Sequence, residues 1–135
     1  MGIDAALAGR TFPPTAPYAV TAEHVATFAA AVGHPGGGAA EQLPPTYPIV
    51  VTFAALQQFL DAEQVELSRI VHGDQRFVYE RPVRVGDVLT ATLTVTGVRS
   101  IGGSDIVSTS SAITDAEGAL VATAGATIVH RGEEA

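Results

Sequence analysis

Cysteine is absent from the 135 residues, and that one absence excludes disulfides, thiolate metal sites and a cysteine nucleophile together. Lysine and asparagine are absent too. Every basic side chain is therefore an arginine: Arg10, Arg69, Arg76, Arg81, Arg84, Arg99 and Arg131. A GC-rich genome accounts for such a bias, and the functional alternative is that scattered arginines meet an anionic ligand. The formal net charge of −7 has the wrong sign for nucleic acid, which calls for a dense basic face. No apolar run approaches the ~20 residues of a membrane-spanning helix, so no membrane role is expected. The N-terminus, Met1-Gly2-Ile3-Asp4, has no basic segment followed by an apolar stretch. No secretory signal is expected, and a cytoplasmic protein is the default. The four histidines are scattered without paired spacing, so no metal site is expected.

What is present divides into two helical stretches followed by four strand-like ones. The first helix is expected from Ala22 to Val32, with Thr21 as N-cap and Glu23 in the first turn, where a negative charge suits the helix dipole. Val25, Phe28, Ala29 and Val32 share one face at helical spacing. Gly33 ends the helix, and Pro35 prevents it from resuming. The second helix, about 48–60, starts at Pro48 or Ile49 and is apolar around nearly its whole circumference. Such a helix is expected to be buried on most sides.

The remainder alternates with period two. Phe77, Tyr79 and Arg81 face one way, and Val78 and Glu80 the other. Leu89, Ala91, Leu93 and Val95 alternate with threonines as a half-buried strand. Gly102-Gly103 and Asp115-Ala116-Glu117-Gly118 form turns short enough to make the last three strands an antiparallel meander. Leu120, Ala122, Ala124, Ala126 and Ile128 would form a small-residue face admitting a helix or another subunit. One long antiparallel sheet beside one apolar helix suggests an α+β domain with the sheet wrapped around that helix. An open sheet leaves an edge strand, which dimerisation can hide. Residues 1–135 read as one domain, with a core of about 5–131, a frayed tail at 132–135, and neither repeat nor linker.

The block His72-Gly73-Asp74-Gln75-Arg76-Phe77-Val78-Tyr79-Glu80-Arg81-Pro82, followed by Val85-Gly86-Asp87, and the stretch Pro45-Thr46-Tyr47-Pro48-Ile49-Val50-Val51-Thr52-Phe53 carry a resemblance. In this order they resemble the hot-dog fold of MaoC-like dehydratases. The nearer likeness is to the FAS1-like (MaoC dehydratase N-terminal) branch, and within it to the HadA-type subunit of actinobacterial (3R)-hydroxyacyl-ACP dehydratases. The resemblance implies reversible hydration of a trans-2-enoyl thioester to a (3R)-3-hydroxyacyl thioester on CoA or acyl carrier protein, with no cofactor. In active members an Asp and a His, five positions apart in the loop after the first helix, hold the water between them. A backbone amide at the start of the buried helix polarises the thioester carbonyl.

This chain departs from that pattern. His34 stands at the position of the Asp, Ala39 five residues on, and nowhere in the sequence does His follow an Asp by five. His34 is thus a candidate acid or base, set against a solvated loop residue on a triple-glycine mount. His72 is the second candidate, lining the thioester channel or a subunit interface. Its alternative is a turn histidine bonded to Asp74. Tyr47, Pro48, Ile49 and His72 are the candidate substrate-binding residues, although packing competes for Tyr47. Arg76, Arg81 and Arg84 suit phosphate recognition or are solvated strand positions. His24 is expected on a helix surface and His130 at a strand end.

Three readings follow. In the first, the chain is the non-catalytic, tunnel-forming half of a dehydratase, paired with a MaoC-like catalytic subunit and inactive alone. In the second it is a self-sufficient enzyme, either a hydratase with a displaced dyad or a thioesterase; Glu41, Asp61 and Glu63 are the carboxylates nearest the buried helix, and a homodimer is the alternative to a heterodimer with a catalytic subunit. In the third it is a non-enzymatic acyl-binding module.

Overall fold

Thr21 and Gly33 bound the first helix in space as they do in sequence. The computed structural model of the protein describes residues 5–33, 43 and 46–131; the loop carrying His34, Ala39 and Glu41 lies outside the described residues, as does the tail 132–135. Helix α1 spans Ala22–Val32, the Thr21 hydroxyl accepts the His24 amide at 3.1 Å, and Gly33 closes the helix at φ 71°. Only glycine takes that left-handed conformation without strain. Val25 and Ala29 are buried and Phe28 partly so, whereas Val32, expected on the same face, is 52% exposed. The helix is held by its middle turns, and its last turn projects from the body.

Strand β1 (Tyr18–Ala19) is short, and β2 (Ile70–Tyr79), β3 (Val88–Ile101), β4 (Ser104–Thr114) and β5 (Leu120–Arg131) are long. They form one antiparallel sheet in the order β1-β3-β4-β5-β2. The meander β3-β4-β5 is the expected one, turned at Gly102-Gly103 and at Asp115–Gly118. Leu89, Ala91, Leu93 and Val95 of β3 are buried on the concave face. On β5 the buried set is Val121, Ala122, Ala124, Ile128 and His130, while Leu120 is 43% exposed. Leu120 leaves the expected small-residue face because the β4–β5 register shifts between Ile113 and Thr114.

The second helix, α2 (Ile49–Ala62), lies across the concave face against β3 and β4. It buries Val51, Thr52, Ala55, Leu56, Phe59 and Leu60, but Phe53 is 44% exposed and Ala54 is exposed as well. Burial is therefore one-sided rather than nearly complete, because the sheet curls around only part of the helix. The segment before β1 covers a flank: Phe12 meets Phe59 edge-on at 5.1 Å, and the Gln58 amide donates to the Pro13 carbonyl at 3.2 Å.

The two edges of the sheet are treated differently. Residues 9–15 run along the outer edge of β3, with Gly9, Phe12 and Thr15 amides donating to Val95, Leu93 and Ala91 carbonyls. That edge is covered. Strand β2 is the other edge, pairing only with β5 among the described residues, and it exposes Val71 and Val78 by 51% and 62%. Unpaired strand edges are templates for another chain. At the end of the sheet beyond α2, a polar row crosses three strands: the Ser100 hydroxyl donates to Asp105 at 2.6 Å, and Asp105 lies 3.6 Å from the buried His130 ring.

Candidate functional site

Glycine inside a strand signals a bulge or a close backbone approach, and Gly73 does both. His72 pairs with Ile128 and Asp74 with Thr127, so Gly73 is the extra residue. A Cβ at Gly73 would come within 3.2 Å of the Thr127 carbonyl oxygen. In a regular strand, residues three apart point to opposite faces. The bulge shifts the phase by one, and His72 and Gln75 both turn to the concave face, opposite Ile128 and Ala126.

There they meet α2. A small cleft between helix and sheet is lined by Ile49, Thr52, Phe53 and Leu56 from α2, His72 and Gln75 from β2, and Leu93, Thr109, Ser111, Ala124 and Ala126 from the floor. Its free space is about 20 Å³, room for a single water-sized group. The small floor residues keep the slot open, and among the described residues the lining holds one imidazole and no carboxylate. His72 Nε2 donates to Gln75 Oε1 at 2.9 Å. An amide oxygen can only accept, so this contact goes with the Nε2–H tautomer of the ring. His72 is thus a strand residue bonded to Gln75, in place of the turn residue bonded to Asp74 that the sequence offered as an alternative. The Gln75 Nε2 is buried and has no hydrogen-bond partner among the described residues.

Of the sequence candidates, Ile49 and His72 come together in this cleft. Tyr47 and Pro48 are buried and do not line it. The Tyr47 hydroxyl is 2.8 Å from that of Tyr18, and its ring meets Phe28 edge-on at 5.3 Å. Burial, and then the Tyr18 bond, push the Tyr47 pKa well above the ordinary tyrosine range. The amides of Ile49 and Val50, expected to face a thioester carbonyl, donate to the Thr46 and Tyr47 carbonyls instead. The tight turn Thr46–Pro48 that begins α2 satisfies them internally.

The arginines separate as well. Arg81 donates to Asp87 at 2.9 and 3.2 Å and to Asp115 at 3.3 Å, binding the end of β2, the loop before β3 and the β4–β5 turn into one network. Arg76 lies over Gly125 on the convex face, away from the cleft. His24 is on the exposed side of α1, stacked on Tyr18. Sequence reasoning missed Gln75 and the burial of His130. The signal for Gln75 was the glycine two residues before it in a strand, which forecasts the phase shift.

The curled sheet and the helix across its concave face together define a hot-dog fold. The chain belongs to the family described as "FAS1-like, dehydratase domain region", matched over residues 6–124. It is 47% identical over 146 aligned positions to the UPF0336 protein Lxx02810 of Leifsonia xyli, covering 98% of both chains. A UPF0336 protein of Streptomyces coelicolor is 41% identical, with 99% of each covered. Among solved structures, the HadBC (3R-hydroxyacyl-ACP dehydratase) complex of Mycobacterium tuberculosis superposes with a TM-score of 0.78 at 29% identity, over 96% of this chain and 99% of that one. A MaoC-like dehydratase gives a TM-score of 0.82 at 24% identity, over 96% of this chain and 43% of the other, and shares the fold.

Proposed function

We propose that the chain is the substrate-tunnel half of a (3R)-3-hydroxyacyl-thioester dehydratase, completed by a MaoC-like catalytic subunit. The reaction is reversible addition of water across a trans-2-enoyl thioester, carried on CoA or acyl carrier protein. Family membership and the likeness to the HadBC complex support the reaction class. The observation that carries the division of labour is the cleft itself: apolar, floored by small residues and, among the described residues, holding one histidine and no carboxylate. With no Asp-to-His spacing of five anywhere in the sequence, the acid and base come from the partner. The β2 edge beside the cleft, unpaired on its outer side among the described residues, gives that partner a strand to pair with.

In this arrangement Ile49, Phe53 and Leu56 present hydrocarbon to the acyl group, and the polar pair His72–Gln75 stands where its thioester end enters. The test is co-expression with a candidate MaoC-like chain. Hydration is followed by loss of the conjugated enoyl-thioester absorbance, for the pair and for each half. Turnover by the pair and none by this chain alone is expected. Full activity of the isolated chain, abolished by His34→Ala or His72→Ala, would favour the self-sufficient enzyme. Acyl-thioester binding without turnover in any combination would favour the binding module.

A further inference from the structure

Nearly every buried N–H in a folded protein is paired, since an unpaired one gives up its water for nothing. Gln75 Nε2 is an exception among the described residues, and it sits in the wall of the cleft. Oε1 is held by the His72 ring at 2.9 Å, which leaves the N–H bonds directed away from the imidazole. The pair exists only because the Gly73 bulge puts two residues three apart on one face. A donor that is buried and, among the described residues, unpaired is suited to an acceptor that arrives with a ligand.

The surroundings say which kind of acceptor. Phe53, Leu56, Ala124 and Ala126 flank the position with hydrocarbon, and no arginine lines the cleft among the described residues. A phosphate or carboxylate placed there would be desolvated without a counter-charge. A neutral carbonyl oxygen bearing an alkyl chain meets neither penalty, and the free space of about 20 Å³ admits the oxygen itself. We infer that Gln75 Nε2 donates to the thioester carbonyl oxygen of a bound acyl chain, with His72 as the residue that positions it. This rests on the acyl-thioester reading and adds the contact by which this chain recognises its ligand.

Octanoyl-CoA, saturated and so not hydrated, carries ¹³C at the thioester carbonyl and is bound to the full chain, alone and with the MaoC-like partner. The carbonyl stretch is read by infrared difference spectroscopy. A lowered frequency in the wild type is expected, returning to the free value in Gln75→Leu with roughly ten-fold weaker binding, the loss of one good hydrogen bond. Gln75→Leu should melt at or above the wild-type temperature, because it removes a buried unpaired donor; a merely structural glutamine would lower it. His72→Leu should weaken binding and His72→Gln, which keeps a donor for Oε1, should restore it. Should Gln75→Leu fail to fold, the near-isosteric Gln75→Glu, which presents no such donor when ionised, takes its place. Binding with the same carbonyl frequency in the wild type and the Gln75 variant overturns this inference and leaves the proposed function standing. No binding by the chain or the pair overturns both.

Discussion

Single side chains here act through what they are left facing. Tyr18 and Tyr47 share one hydroxyl contact at 2.8 Å under α1. Tyr18→Phe strands the buried Tyr47 hydroxyl and should cost about 1–3 kcal/mol in chemical denaturation. The double variant Tyr18→Phe/Tyr47→Phe should recover part of that loss, since it leaves no orphan. The raised Tyr47 pKa also has a signed consequence. Its neutral form is favoured in the folded state, so its contribution is present below the unfolded tyrosine pKa of about 10 and is lost as pH rises beyond it. Alkaline denaturation of the wild type should therefore steepen above about pH 10, and Tyr47→Phe should flatten it. At Gly33, φ 71° admits glycine but strains other residues. Gly33→Ala should destabilise by about 1 kcal/mol. The sequence announced this last position plainly, because a C-cap glycine is a local signal. It said nothing of the tyrosine pair, 29 residues apart along the chain.

Elements were legible to the degree that their signals are local. Helix α1 and the β3-β4-β5 meander fall where periodicity and turn residues put them, since each is set within a few neighbouring residues. The bulge in β2 was less legible, and it decides the cleft. One glycine shifts the phase and changes which of His72, Asp74 and Gln75 face α2. The Arg81 network is similarly non-local, joining the end of β2 to two turns. Burial alone would raise the Asp87 pKa, but bonds from the Arg81 guanidinium and the Arg84 amide outweigh it and bring it below the usual carboxylate value. The Ala119 amide, with Arg81 and the Glu117 amide, lowers Asp115 too, against a smaller burial effect. Depressed carboxylate pKa values contribute stability above the unfolded pKa of about 4 and lose it as pH falls through the folded values. Melting temperature should drop below about pH 4, and Arg81→Met should make that drop shallower while lowering the melting point at neutral pH by several degrees.

At the scale of the molecule, the asymmetry of the two sheet edges matters most. Among the described residues one edge is closed by residues 9–15 and the other is open along β2. Val71→Lys with Val78→Lys should leave the isolated chain's stability within about 0.5 kcal/mol, as exposed substitutions usually do. The same pair should weaken co-purification with a MaoC-like partner if β2 is the joint. Composition, period and turn chemistry were enough to determine an α+β chain with a curled sheet and an apolar helix, because each is read over a few adjacent residues. Tertiary structure alone decided that α2 is covered on one side only, that Tyr47 belongs to the core, and that His72 holds Gln75 toward the helix. Those outcomes depend on contacts between distant segments and on a one-residue phase shift, which no local pattern contains.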